Sequence, residues 1–443
     1  MSREISFTPT SNIFIERTNG EQSTISISIE DSDTADFKMP FNPSDDIRKI
    51  SVSGVTTDKT LQILNNILST SSPVEELNLT SCVLGGNKGD RLSTLVDIIS
   101  QRGEDLNLTK LNLNSTRVST EEDVAAVCRL IDNKPSIKDL DLSDNNIGNT
   151  GIQAIAGVLG NLQRLDLTNT RFGYDSLVAL TEALKENSSL LSLIINENNL
   201  CETDGANNLA NAIRENHQLQ ELRIEDPELG QEGLNIILNA IRENNSIVRI
   251  DFGYNTVFTP DTINNLINII ENKDIEYLRF SGACDDEFAA KLSDQIKENS
   301  SLKEICIYNT EITNAGASKL AEAINENSSL ESLIILGSSM NHEGANEILD
   351  SLKNNTNISQ IMLSGIDFED LVNWQRAGEE DSAAAGAGGA STLEDIAQAG
   401  ESANPSISEE VAQVEDRPSY DQDVALAGIG NSFEDNQDFS DSL

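Results

Sequence analysis

From Leu162 to Phe172 apolar and polar residues alternate (LQRLDLTNTRF), which marks a short strand with one buried face. The period then changes. In GASKLAEAINEN (316–327), Ala317, Leu320, Ala321 and Ile324 recur at helical spacing. This pair of patterns returns along the chain. An aliphatic residue opens each strand segment at Ile47, Val74, Leu108, Ile137, Leu162, Leu190, Leu219, Ile247, Ile275, Leu302, Leu330 and Ile358. The steps between them are 27, 34, 29, 25, 28, 29, 28, 28, 27, 28 and 28 residues. Such a period predicts about twelve strand-plus-helix units from Ile47 to about Gln375. A unit this short cannot bury its own apolar face, so the core must form between stacked neighbours.

Each helix is expected to end in a polar phrase. Lys185-Glu186-Asn187-Ser188-Ser189-Leu190 has close copies ending at Leu302 and Leu330, and looser ones ending at Leu219 and Ile247. A basic residue suits the negative end of a helix, and Asn is expected in the left-handed conformation that stops one. The serines would satisfy turn hydrogen bonds. On this reading the phrase is a stop and return turn that tolerates substitution at modest cost.

The pattern, seen most fully in Ile137-Lys138-Asp139-Leu140-Asp141-Leu142-Ser143-Asp144-Asn145-Asn146-Ile147-Gly148, resembles the leucine-rich repeat family, specifically its ribonuclease-inhibitor-like class. The resemblance implies an α/β horseshoe solenoid with parallel inner strands and outer helices. It also implies a ladder of Cys or Asn side chains stitching adjacent turns, at positions filled by Cys82 and Asn198. Thr170 and Pro227 depart from that pattern.

The two ends do not follow the period. Residues 12–30 hold two alternating segments around Asn19-Gly20, read as a hairpin within an N-terminal cap over residues 1–46. FEDLVNWQ (368–375) reads as a last amphipathic cap anchored by Trp374. Residues 376–443 carry sixteen acidic and two basic residues in a Gly-, Ala- and Ser-rich context, so a disordered acidic tail is expected there.

Charge narrows the partners. Thirty basic and 74 acidic residues give a formal net charge of −44, which argues against nucleic acid and anionic membrane surfaces. It favours a protein partner with a basic or mixed apolar surface, bound by a monomer. Five widely spaced cysteines without a CxxC fit reduced thiols in a cytoplasmic compartment. The first residues lack a hydrophobic signal core, so Sec-type secretion is not expected.

Catalytic patterns are missing. His217 and His342 have no partners at metal-ligand spacing, and no GxSxG, HExxH, Walker A or GxGxxG stretch occurs. Gly85-Gly86-Asn87-Lys88-Gly89 lacks the ending of a phosphate loop. Cys284-Asp285-Asp286-Glu287 reads as a helix start rather than a cation site. No cofactor is expected.

Binding is easier to place. Two-residue alternation aims every second strand residue out of the concave face. Down the array these positions include Arg223, Arg249 and Arg279 from three consecutive units. Beside them stand Tyr277, Cys306, Tyr308, Ile334, Leu336 and Met362, an apolar patch on a face expected to be wet. Arginine beside aromatic and aliphatic side chains is the composition of an interface hot spot. Alternatively, the arginines pair with Glu221, Glu225 and Asp251, or the chain's own C-terminal segment covers the patch. The expected function is a non-enzymatic interaction scaffold. Its asparagine-rich repeats would also suit a bacterial effector acting in a host cytosol. An activator of the Ran GTPase is the alternative by architecture, although no arginine directly follows the early strand at Cys82.

Overall fold

The computed structural model describes residues 13–17, 23–29, 47–54, 58–69, 73–86, 90–200, 202–226, 229–253, 259–282, 284–353, 355 and 357–363. Pro227, the Asn19-Gly20 turn, the 368–375 cap and the acidic 376–443 tail lie outside these residues. The chain divides into two compact units after Trp374, and every described residue belongs to the first.

Strands and helices alternate in the order β1 (Ile13–Arg17), β2 (Ser23–Ile29), β3 (Ile47–Gly54), α1 (Asp58–Leu68), β4 (Glu76–Asn78), α2 (Arg91–Gln101), β5 (Lys110–Asn112) and α3 (Glu121–Asn133). They continue as β6 (Asp139–Asp141), α4 (Gly148–Ala156), β7 (Arg164–Asp166), α5 (Tyr174–Glu186), β8 (Ser192–Ile194), α6 (Glu202–Glu215), β9 (Glu221–Arg223) and α7 (Gly230–Glu243). The last are β10 (Arg249–Phe252), α8 (Pro260–Asn272), β11 (Tyr277–Ser281), α9 (Asp286–Glu298), β12 (Glu304–Tyr308), α10 (Asn314–Glu326), β13 (Ser332–Leu336), α11 (His342–Leu352) and β14 (Gln360–Leu363).

The fourteen described strands form one sheet in sequence order. The twelve strands β3 to β14 are parallel, each paired with its sequence neighbours, as a solenoid requires. β1 pairs antiparallel with β2, which joins the sheet parallel to β3. Helices pack mainly on their sequence neighbours, and one continuous apolar core lies between helices and sheet. In that core Leu140, Leu165, Leu193, Leu222 and Ile250 stack at 0–1 % exposure, each the middle apolar residue of its strand.

Local backbone geometry feeds this core. Just beyond the strands, Ser81, Ser115, Asp144, Asn169, Glu197 and Asn309 adopt φ between 50 and 62°. This left-handed step turns the following side chain inward, so Cys82, Thr116, Asn145, Thr170, Asn198 and Thr310 are buried. The implied ladder is present there. Asn145 Nδ2 donates to the carbonyls of Leu113, Leu142 and Ser143 at 2.8, 2.9 and 3.0 Å. Asn198 Nδ2 reaches back to Leu167 O at 2.8 Å, and Cys82 Sγ lies 3.3 Å from Val52 O. Thr170, which departs from the pattern, bonds within its own repeat to Leu167 O at 2.8 Å. Its backbone N–H donates to Asn198 Oδ1, so the Asn of the next repeat completes the turn.

The polar phrase works differently from the sequence expectation. Asn187, Asn244, Asn299 and Asn327 have φ near −80° and ψ between 130 and 143°, so they are extended rather than left-handed. Their side chains do the stopping. Asn216 Nδ2 donates to Leu184 O at 2.7 Å and Asn187 O at 3.0 Å, in the preceding repeat. Its Oδ1 accepts from the N–H groups of Gln218 and Leu219 at 2.9 and 2.8 Å. Asn244, Asn327 and Asn355 repeat the arrangement, forming a second ladder along the outer turns. Each amide satisfies a last-turn carbonyl of the helix before it, a group the helix itself leaves without a donor. Lys134 and Lys273 stand in this row, with Nζ donating to Gly103 O and Asn244 O.

Candidate functional site

Strand register sorts the helix-free face into rows. The first runs Glu221, Arg249, Tyr277, Glu304, Ser332, Gln360. The second runs Arg223, Asp251, Arg279, Cys306, Ile334, Met362, and the third ends in Ser281, Tyr308, Leu336. In this register Arg223 and Arg279 share a row on either side of Asp251, with Arg249 in the row beside them.

The arginines are engaged within the face. Arg223 lies 2.7 Å from Glu221 and 3.9 Å from Asp251, and Arg279 lies 3.4 Å from the same Asp251. Arg249 approaches Glu221 at 3.9 Å. Tyr277 takes a guanidinium over its ring from Arg249 at 4.7 Å and from Arg223 at 5.9 Å, while Arg279 lies 5.0 Å above Tyr308. Alternating charge and aromatic stacking fix these side chains before any partner arrives.

The patch is not the wet surface that alternation predicts. Tyr277, Arg279, Cys306, Tyr308 and Ile334 are each at most 4 % exposed. β6, β7 and β9 bury only the middle residue, whereas β11 buries all five. Cys306, Tyr308 and Ile334 form a second apolar cluster, apart from the main core, with half-buried Leu336 and Met362 against it. Arg223 and Arg249 are half-buried.

Burial governs the chemistry. Desolvation, with Glu304 nearby, pushes the Cys306 thiol well above its usual range, so it remains protonated at neutral pH. Desolvation likewise raises the Tyr277 hydroxyl and the Glu304 carboxyl. Burial would also raise Glu221, but Arg223 and the Ser192 hydroxyl hold it below the usual carboxylate range. No activated nucleophile results, and no group of acids, His and Cys that could hold a metal occurs among the described residues.

Glu221 and Asp251 pair with the arginines, as the alternative reading of the sequence has it, whereas two contributors escape that reading: Glu304 and Ser332. Each stands in register with a residue that the sequence singles out, so row-by-row pairing is the available signal.

The remaining sequence candidates have structural jobs. Asp285 caps α9 through the N–H of Phe288, and Asp286 accepts from Thr313 and Gly316 at the start of α10. Gly85 packs against the backbone of Arg117, where a side chain would collide. Gly86 (φ +79°) donates to Asp123, which caps α3 together with Thr120. Arg91, the arginine nearest the early strand end, opens α2 and lies 3.4 Å from Asp58. No described helix is long and apolar enough to cross a membrane.

A leucine-rich repeat family model matches residues 133–156. No curated protein matches the chain. Among solved structures, an internalin from Listeria monocytogenes matches at 14 % identity and TM-score 0.35, covering 71 % of this chain and 72 % of the internalin. The actin-binding site 2 of leiomodin-1 matches at 16 % identity and TM-score 0.27, over 42 % of this chain and 88 % of its own. The C-terminal domain of tropomodulin from Caenorhabditis elegans matches at 16 % identity and TM-score 0.27, over 40 % and 92 % respectively.

Proposed function

We propose that this leucine-rich repeat protein is a non-enzymatic interaction scaffold that holds a partner protein on the helix-free face of β9 to β14. The observation that carries this is the pre-ordered group of Arg223, Arg249, Tyr277, Arg279 and Tyr308, spread over three adjacent rows and running into the Cys306–Ile334 cluster. Arginines fixed by aromatic rings and acids lose little freedom on binding, which favours recognition. Because the face itself is charge-balanced around Glu221 and Asp251, the partner is expected to offer a mixed polar and apolar surface.

Nothing in the geometry favours GTPase activation: Arg91 is held at a helix start against Asp58. The repeated asparagines, which suggest an effector delivered to a host cytosol, have a structural role in the outer ladder.

The test is affinity capture from extracts of the source cells with mass-spectrometric identification, comparing wild type with Arg249→Ala/Leu336→Ser/Met362→Ser. These three are not fully buried, so the fold should survive, as circular dichroism would show. Loss of one reproducible partner is expected. An identical set of captured proteins would refute the assignment.

A further inference from the structure

From Asn216 onward the outer ladder is complete at Asn216, Asn244, Asn327 and Asn355, whose amides each reach two carbonyls of the preceding repeat. Among the described residues it is incomplete at the two steps that flank α8. Lys273, which ends α8, gives one bond back, from Nζ to Asn244 O, and its ammonium can accept nothing. The N–H of Ile275 turns instead to Lys273 O at 2.9 Å. Asn299, one repeat later, reaches back to Ile270 O alone, at 3.3 Å. Two other features coincide there. A cavity of about 620 Å³ lies against the same three turns, with Asn245, Val248, Ile270, Asp274, Gln295 and Asn299 in its lining. α8 also packs less closely on α7 and α9 than α7 does on α6 or α9 on α10.

The inner side of the same steps is closed. β10, β11 and β12 keep their backbone pairing throughout. Above them Arg249 of β10 stacks on Tyr277 of β11 at 4.7 Å, and Arg279 of β11 lies 3.4 Å from Asp251 of β10. Arg279 also covers Tyr308 of β12 at 5.0 Å.

We propose that the array flexes at α8, with the sheet as pivot, and that this flexion opens the closed face of β10 to β12; that the opening admits a partner rests on the function proposed above. Curvature sets the direction. With strands inside and helices outside, drawing the outer turns together flattens the horseshoe and spreads the side-chain tips on its inner face. The cavity at α8 supplies the room for that movement. At the neighbouring steps, two amide bonds each and closer helix packing resist it. A small spread suffices, because a gap of about 1 Å already forfeits up to about half of a van der Waals contact.

Hydrogen exchange of the full wild-type chain, read by mass spectrometry, tests the joint. Amides of α8 should be protected at least about tenfold less than those of α7 and α9. Protection of α8 equal to theirs overturns the proposal. Opening of the face is read at Cys306, which is 1 % exposed. Ser301 Oγ and Asp274 Oδ1 lie 3.1 Å apart across the later step, so a disulfide in Asp274→Cys/Ser301→Cys fixes its spacing. With that bridge formed, a maleimide should modify Cys306 at least about fivefold more slowly than in the wild type. Cys82 and Cys128, in early repeats, should react at their wild-type rates and so report an intact fold. An unchanged rate at Cys306 overturns the proposal. Should the early thiols accelerate, the bridge has disturbed the fold, and exchange in α8 of the wild type decides alone. Neither measurement needs a partner. If both go as expected while Arg249→Ala/Leu336→Ser/Met362→Ser captures an unchanged set of proteins, the joint stands and the scaffold function falls.

Discussion

Replacing Asn216 by Ala removes four hydrogen bonds from the middle of the outer ladder. Two involve groups in fully buried surroundings: Leu184 O, in the last turn of α5, and the N–H of Leu219, at the entry to β9. The other two lie nearer the exposed Gln218 turn, where water can replace the amide. A buried backbone group left without a partner costs about 1–3 kcal/mol, so the two buried groups together predict a loss of about 2–6 kcal/mol. His217 and Glu215 flank Asn216 in the same phrase but are exposed, and their Ala variants should change stability by less than about 0.5 kcal/mol. Urea unfolding followed by circular dichroism at 222 nm measures the three variants side by side. Since neighbouring repeats are coupled mainly pairwise, the loss can also appear as a separate early transition, which hydrogen exchange would place in α5 and β9. An Asn216→Ala midpoint indistinguishable from that of His217→Ala would refute the ladder argument.

Asp141, raised to about 6 by burial and by the neighbouring Asp166, makes stability pH-dependent. Its folded value lies above the unfolded one, so its contribution is fully present below about pH 4 and is lost as pH rises to about 6. Asp141→Asn should therefore gain about 1 kcal/mol over wild type at pH 7, after allowance for partial exposure, and nothing at pH 3.5. Urea midpoints at the two pH values check this, and a constant difference would refute it. Arg279→Ala should cost about 3 kcal/mol, because it uncovers Asp251 in a buried setting. Arg249→Ala, whose side chain is 36 % exposed, should cost less than about 1 kcal/mol in the same denaturation series.

The repeat ruler locates β3 to β14 because stacking leaves no freedom: a unit that slips by one residue turns its whole apolar set toward water. β5 to β14 each begin two residues after the aliphatic position that marks their unit. Conformational preference alone assigns Asn187 and its relatives a left-handed backbone. The left-handed residues are instead Asp144, Asn169, Glu197 and their equivalents at the other end of the strand. Local preference names residues that tolerate a conformation, but cross-repeat hydrogen bonds decide where it is used. The interaction that places Asn216 joins it to Leu184, 32 positions away, and no local pattern carries that information.

The same limit explains the face. Alternation assigns Tyr277, Arg279, Cys306 and Ile334 to one side of the sheet, and strand register places them together there. Their burial goes with packing between neighbouring rows, Arg249 over Tyr277 and Arg279 over Tyr308, which two-residue periodicity cannot express. The strongest physical clue is a mismatch. β12 and β13 put Cys306, Ile334 and Tyr308 on a side where β5 to β7 put Asn112, Asp141 and Asp166. A solenoid repeats its backbone from one unit to the next, so geometry alone gives no reason for that change in polarity. The described contacts that keep water from the later strands' face are lateral: Arg249 stacks over Tyr277, Arg279 over Tyr308, and Cys306, Tyr308 and Ile334 pack together, so neighbouring rows cover one another.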